Sequence, residues 1–233
     1  MNRISLLSAV ALALLSASAV AAQDPKPKAP PHPVPEQKPA SAPEAKPSSA
    51  ADGVIVLKQR ASYPLTTCVA CGKDLGATPV AYVHDGRLFL LDADACSKKV
   101  DADSKVLVKK IDDAVIVQQK TAYPLKVSIV SDKPLEATAV DYVYGTRLVR
   151  LASPEEVVVF EKDPATGMAK LDKAYIAAQL PTYSLKACPI SKEELNDDAQ
   201  NYLYGTKLVR FCCKKCIASF EKDPAKFASA LPK

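Results

Sequence analysis

The sequence predicts an α+β chain of three tandem small modules, each made of a turn, a β-hairpin and one or two short helices. Three observations carry this. Tyr63, Tyr123 and Tyr183 stand 60 residues apart and open matching segments, Tyr63-Pro-Leu-Thr-Thr-Cys68, Tyr123-Pro-Leu-Lys-Val-Ser128 and Tyr183-Ser-Leu-Lys-Ala-Cys188. Each segment is followed by alternating apolar and polar residues around a glycine, the mark of a hairpin. Behind each hairpin comes a short apolar run with helical spacing.

Before the repeats, Asn2 and Arg3, an apolar run from Ile4 to Val20 and small residues around Ala21 and Ala22 read as an export signal over 1–22. The run is short and alanine-rich for a membrane span of about 20 strongly apolar residues. No cysteine follows it, so a lipid anchor is not expected, and no stable membrane insertion after signal cleavage. The mature chain is expected to be exported, periplasmic or extracellular. Residues 23–51 hold nine prolines among Lys, Ala, Ser and Glu. Such a stretch cannot bury a core and favours extended conformations, so it reads as a disordered, semi-rigid linker. His32 within it reads as incidental.

The remaining residues divide into repeat 1 (52–112), repeat 2 (113–172) and repeat 3 (173–233), each near the size at which an apolar core alone is marginal. Each copy begins after an aspartate (Asp52, Asp112, Asp172) with an apolar stretch ending in glutamine (Gln59, Gln119, Gln179). β-Branched residues leave helix or strand open there, and an aspartate cap before Ala174-Tyr-Ile-Ala-Ala-Gln179 inclines the reading to helix. The hairpins are Ala81 to Leu91 around Asp85-Gly86, Asp141 to Arg150 around Gly145, and Asn201 to Arg210 around Gly205. Residues 153–161 and 213–221 read as helices, with Phe160 and Phe220 as core residues. Asp163-Pro164 and Asp223-Pro224, a cap followed by proline, start a second helix.

Seven cysteines are distributed unequally over these copies. Repeat 3 has Cys188 in its turn and Cys212, Cys213 and Cys216 where the hairpin gives way to the helix. Repeat 1 has Cys68-x-x-Cys71-Gly72 and Cys96, with Asp92 at the position of Cys212. Repeat 2 has Ser128, Ala152 and Glu156, which cannot reproduce a thiolate site. The fold would bring turn and helix start together, as treble-clef-like metal sites do, with Cys212 and Cys216 on one side of a helical turn. Cys213 is a possible fourth ligand. Lys214, Lys215 and the helix N-terminus favour thiolate, and an incomplete thiolate set suits a site that receives and gives up a soft ion such as Cu(I), with zinc as the other ion that remains open. The same convergence also suits structural disulfides in an oxidising compartment, Cys68 with Cys96 and Cys188 with Cys212 or Cys216. An odd cysteine count leaves at least one thiol outside such pairing. Thiol redox chemistry at Cys68-x-x-Cys71 ranks third, because no βαβ pattern surrounds it. His84 reads as a strand-end residue rather than a ligand.

Cys188-Pro-Ile-Ser191, Tyr202-Leu-Tyr-Gly205 and Phe211-Cys212-Cys-Lys-Lys-Cys216-Ile-Ala-Ser-Phe220-Glu-Lys-Asp-Pro224 resemble the YHS and TRASH domain group. The resemblance covers repeat 3 well, repeat 1 in part and repeat 2 as scaffold only; Cys213 is an addition to the pattern, and the Tyr-His-Ser tripeptide is absent. It implies heavy-metal binding, sensing or trafficking through Cys188, Cys212 and Cys216. No nucleophile with a paired base, phosphate-cradling glycine loop or repeating carboxylate pair is found, so no enzyme is expected. A net charge of +5 with scattered lysines gives no reason to expect a nucleic-acid partner. The expected partners are a metal ion and, for the repeat 2 surface, another exported protein.

Overall fold

The computed structural model describes residues 49–231, so the expected export signal and nearly all of the linker lie outside the described residues. The described part is α+β, with three antiparallel two-stranded hairpins between helices. No helix in it is long and apolar enough to cross a membrane.

Each apolar opening stretch is helical. Helix α1 spans Ala50–Arg60, with the Ser49 hydroxyl accepting from the amide of Asp52 as its N-cap. The other two belong to longer helices. Helix α2 (Ser97–Gln119) bends where Asp103 leaves helical geometry, and α4 (Pro164–Gln179) starts on the Asp163 cap with Pro164 first in the helix. Positions 112/113 and 172/173 therefore fall inside helices, and Asp172 is a mid-helix residue rather than a cap. Nothing after Pro164 interrupts the helix before Gln179, so the end of one copy and the start of the next are continuous.

The hairpins pair β1 (Val80–His84) with β2 (Arg87–Leu91), β3 (Val140–Tyr144) with β4 (Arg147–Leu151), and β5 (Gln200–Tyr204) with β6 (Lys207–Phe211). Asp85 and Gly86 both take positive φ, the combination of a type I′ turn. In the other two turns only the first central residue, Gly145 or Gly205, does so, which is the type II′ pattern. Helix α3 (Glu155–Lys162) follows the second hairpin, and α5 (Lys214–Lys222) follows the third. After Asp223 the chain continues as a 3-10 helix, Pro224–Ala230.

The recurring glutamines attach each hairpin to its helix, and two of the recurring tyrosines bond to the hairpins that follow them. Gln119 donates to the Thr146 carbonyl and accepts from the Leu148 amide, so its side chain pairs with the strand as another peptide would. Gln59 does the same at Gly86 and Leu88, and Gln179 at Thr206 and Leu208. The hydroxyls of Tyr123 and Tyr183 accept from the amides of Arg150 and Arg210. Gln119 is 5% exposed, and Gln119→Ala strands two buried backbone groups; a loss of about 2 kcal/mol is expected. Urea unfolding measures it, and Gln179→Ala, at a more open position, should lower the midpoint less.

The copies also meet one another. Val143 and Leu148 of the second hairpin share a core with Leu88, Phe89, Leu107, Ile111 and Val115. Thr146 donates to the Gln59 carbonyl at the end of α1. Gly205 sits so close to the Ala61 backbone that a Cβ there would come within 3.0 Å. Phe160 and Phe220 are buried, as expected, and Phe220 packs against Tyr202, Tyr204, Phe211 and Phe227.

Candidate metal centres

The segment after each recurring tyrosine folds into the same tight knuckle. The Cys68 amide donates to the Lys73 carbonyl at 2.7 Å, and the Gly72 amide returns to the Cys68 carbonyl. Ser128 with Lys133 and Cys188 with Glu193 repeat the first bond at 2.8 Å each. The knuckle needs one residue at positive φ, supplied by Gly72, Asp132 and Lys192. Glycine takes that conformation at no steric cost, whereas aspartate and lysine are held in it by the turn.

In the first copy the knuckle and the segment after β2 converge on four side chains. The ligand atoms of Cys68, Cys71, Asp92 and Cys96 all lie within 4.8 Å of one another. Cys71 and Cys96 each donate to Asp92 Oδ1, at 3.0 and 3.1 Å, and Lys73 Nζ stands 4.0 Å from the other oxygen. These thiols hold the Asp92 carboxyl down at about 2. In return the carboxylate, together with burial, pushes the Cys96 thiol up to about 12, and it raises Cys71 as well. An ion entering here would take the place of protons shared between sulfur and carboxylate, so loading must release them.

In the third copy Cys188, Cys212 and Cys216 converge with the same closeness. The Cys212 and Cys216 sulfurs are 3.6 Å apart. Tetrahedral zinc with sulfur at about 2.3 Å requires sulfurs about 3.8 Å apart, so this pair already fits an ion. Cys188 is fully buried, which opposes ionisation. The amides of Cys212, Ser191 and Ile190 and the Ser191 hydroxyl outweigh that and bring its thiol to about 6. Cys212 precedes α5 instead of lying on it, because Cys213 is extended (φ −158°, ψ 166°) and caps the helix. The pair meets through this turn rather than by helical i,i+4 spacing.

Cys213 is exposed and lies outside that mutually close set, although its sulfur is 3.8 Å from that of Cys216. His84 joins neither group and sits beside Asp85 and Asp101. All seven cysteines are free thiols. Sequence reasoning missed Ser191, which occupies in the third copy the place of Cys71 in the first. Its hydroxyl is 3.2 Å from Cys212 Sγ. The offset of 120 residues that pairs Cys68 with Cys188 also pairs Cys71 with Ser191.

The second copy closes the same space without sulfur. Ser128, on the knuckle, donates to Glu156 Oε2 at 2.5 Å, and the Ala152 amide donates to the same oxygen at 2.9 Å. Glu156 is 8% exposed. Burial works against its charge, but the Ser128 and Ser131 hydroxyls and the Ala152 amide hold its carboxyl below the usual range. The four positions thus carry Cys, Cys, Asp and Cys in the first copy, Ser, Ser, Ala and Glu in the second, and Cys, Ser, Cys and Cys in the third.

No family model matches the chain, and neither a curated protein nor a solved structure matches it. The two cysteine groups, each able to hold a metal ion, are the chemistry that the described residues bring together.

Proposed function

We propose that the chain is an exported, non-enzymatic metal-binding protein of three tandem YHS/TRASH-like, treble-clef-like modules. It holds a soft or borderline ion, Cu(I) or zinc, through Cys188, Cys212 and Cys216 and through Cys68, Cys71, Cys96 and Asp92, for trafficking, sequestration or sensing. The observation that carries this reading is the contrast among three like backbone frames. Where the knuckle and helix start bear thiols, the sulfurs converge at metal-ligand spacing; where they do not, a serine and a glutamate bond to each other across the gap. The centre in the third copy has three sulfurs with Ser191 beside them, an open set that suits an ion taken up and given on. The second copy, with no ion to hold, is left to space the other two or to meet an exported partner.

Metal analysis of the purified chain, with a free-thiol count before and after reduction, tests the proposal. About two ions per chain are expected. Cys188→Ser should leave about one, bound at the first copy. Absence of stoichiometric metal with six of the seven thiols oxidised would instead establish a disulfide-stapled interaction protein.

A further inference from the structure

Cys213 belongs to no ligand set, yet its position is not that of a bystander. It occupies the N-cap position of α5 and Cys216 is the third helical residue, so both stand on the first turn of that helix. The two sulfurs are accordingly 3.8 Å apart, with Cys213 exposed and Cys216 buried. The equivalent position is Ala93 in the first copy and Ser153 in the second. Neither the fold nor the first thiol set therefore needs a sulfur there. Cys212 lies as near to Cys216, but it occupies the ligand position equivalent to Asp92 and is engaged with Ser191.

We propose that Cys213 and Cys216 form a thiol–disulfide exchange site for low-molecular-weight disulfides, and that closing it discharges the metal centre of the third copy. The exposed Cys213 sulfur attacks one sulfur of the small disulfide and expels a thiolate, leaving a mixed disulfide. Cys216 then attacks the Cys213 sulfur and expels the second thiolate. The two protein sulfurs are oxidised by two electrons, which reduce the small disulfide to two thiols; the protons lost by Cys213 and Cys216 end on those thiols. Where Cys216 holds an ion, the ion stands in place of its proton and is released, and the second small thiolate takes its proton from water.

Closure requires the sulfurs to move from 3.8 Å to about 2.05 Å, within reach of side-chain rotation at an exposed cap. Exposed Lys214 and Lys215 beside the attacking sulfur favour anionic disulfides such as glutathione disulfide. The centre would be left with Cys188 and Cys212, two ligands where it had three. The first copy, with Ala93 at this position, keeps its full set. The discharge step rests on the metal-binding reading, whereas the exchange step does not.

The test uses the full chain, metal-free and zinc-loaded, treated with glutathione disulfide, alkylated and digested with trypsin. Cleavage after Lys214 and Lys215 leaves Cys212 and Cys213 on one peptide and Cys216 on another, so the link is read by mass. It should form in the native chain and in Cys212→Ser, and be lost in Cys213→Ser. The zinc-loaded native chain should release one of its about two ions on oxidation, while Cys213→Ser retains both. A link that survives in Cys213→Ser, or a native chain that stops at the mixed disulfide, overturns the exchange site. A link without zinc release overturns the discharge. A chain that takes up no zinc but forms the link shows the metal-binding reading at fault and the exchange site intact.

Discussion

On the proposed metal-binding function, replacing Ser128, Ala152 and Glu156 together by cysteine is expected to raise the metal bound per chain from about two ions to about three. These positions lie 60 residues before Cys188, Cys212 and Cys216, and the backbone that presents them is already in place. The knuckle bond is 2.8 Å at both Ser128 and Cys188. At the helix start the Glu156 amide bonds the Ser153 carbonyl at 3.2 Å, as the Cys216 amide bonds the Cys213 carbonyl at 3.1 Å. Ser131 stands where Ser191 stands. The substitutions exchange a hydrogen-bonded closure for three convergent sulfurs without asking the chain to move. Metal analysis, supported by thiolate-to-cobalt absorption of the cobalt-loaded protein, provides the count. A folded triple variant that still bound only two ions would show that the shared frame is not sufficient to make a centre.

Glu156→Ala is expected to destabilise the second copy by about 3 kcal/mol. The carboxylate accepts from the Ser128 hydroxyl and the Ala152 amide, and hydrogen bonds to a charged group contribute about 1.5–3 kcal/mol each. The truncated side chain also leaves a void between knuckle and helix. The effect depends on pH in a definite direction. The folded-state pKa of Glu156 lies below its ordinary value of 4.5, so the charged form contributes its stabilisation above that value and loses it as pH falls through the folded value. The stability difference between the native chain and Glu156→Gln should therefore shrink from about pH 7 to about pH 3, as followed by urea midpoints. A difference that stayed constant across that range would mean that the charge on Glu156 is not what closes the gap.

The hairpins and the short helices behind the second and third of them were legible because they follow from neighbours in sequence, whereas the β-branched opening stretches stay open between helix and strand. Asp85-Gly86 and the glycines at 145 and 205 specify tight turns, and alternation on either side specifies paired strands. Phe160 and Phe220 could be assigned to the core from their spacing and size. The cysteine sets were legible through comparison of the copies, since the thiol positions vary against a constant background. What escaped that comparison was whatever depends on a distant partner. The glutamines at 59, 119 and 179 were visible as a recurrence, but their pairing with hairpin residues 27 and 29 positions away, one in the turn and one in the strand, is a tertiary fact. Glu156 read as a lost ligand; the structure makes it the buried acceptor that ties the knuckle to the helix start. The continuity of α2 and α4 across the repeat boundaries was hidden because repetition marks a period and not where a helix ends.

By itself the sequence determined the local units, their 60-residue period and the inventory of donor atoms in each copy. It did so because turn conformation, strand alternation and helix capping act over a few residues. Only the tertiary structure decided which donors meet. Packing of the knuckle against the start of the following helix brings Cys188, Cys212 and Cys216 together and leaves Cys213, in its extended cap geometry, exposed at the edge of that group with its sulfur 3.8 Å from that of Cys216.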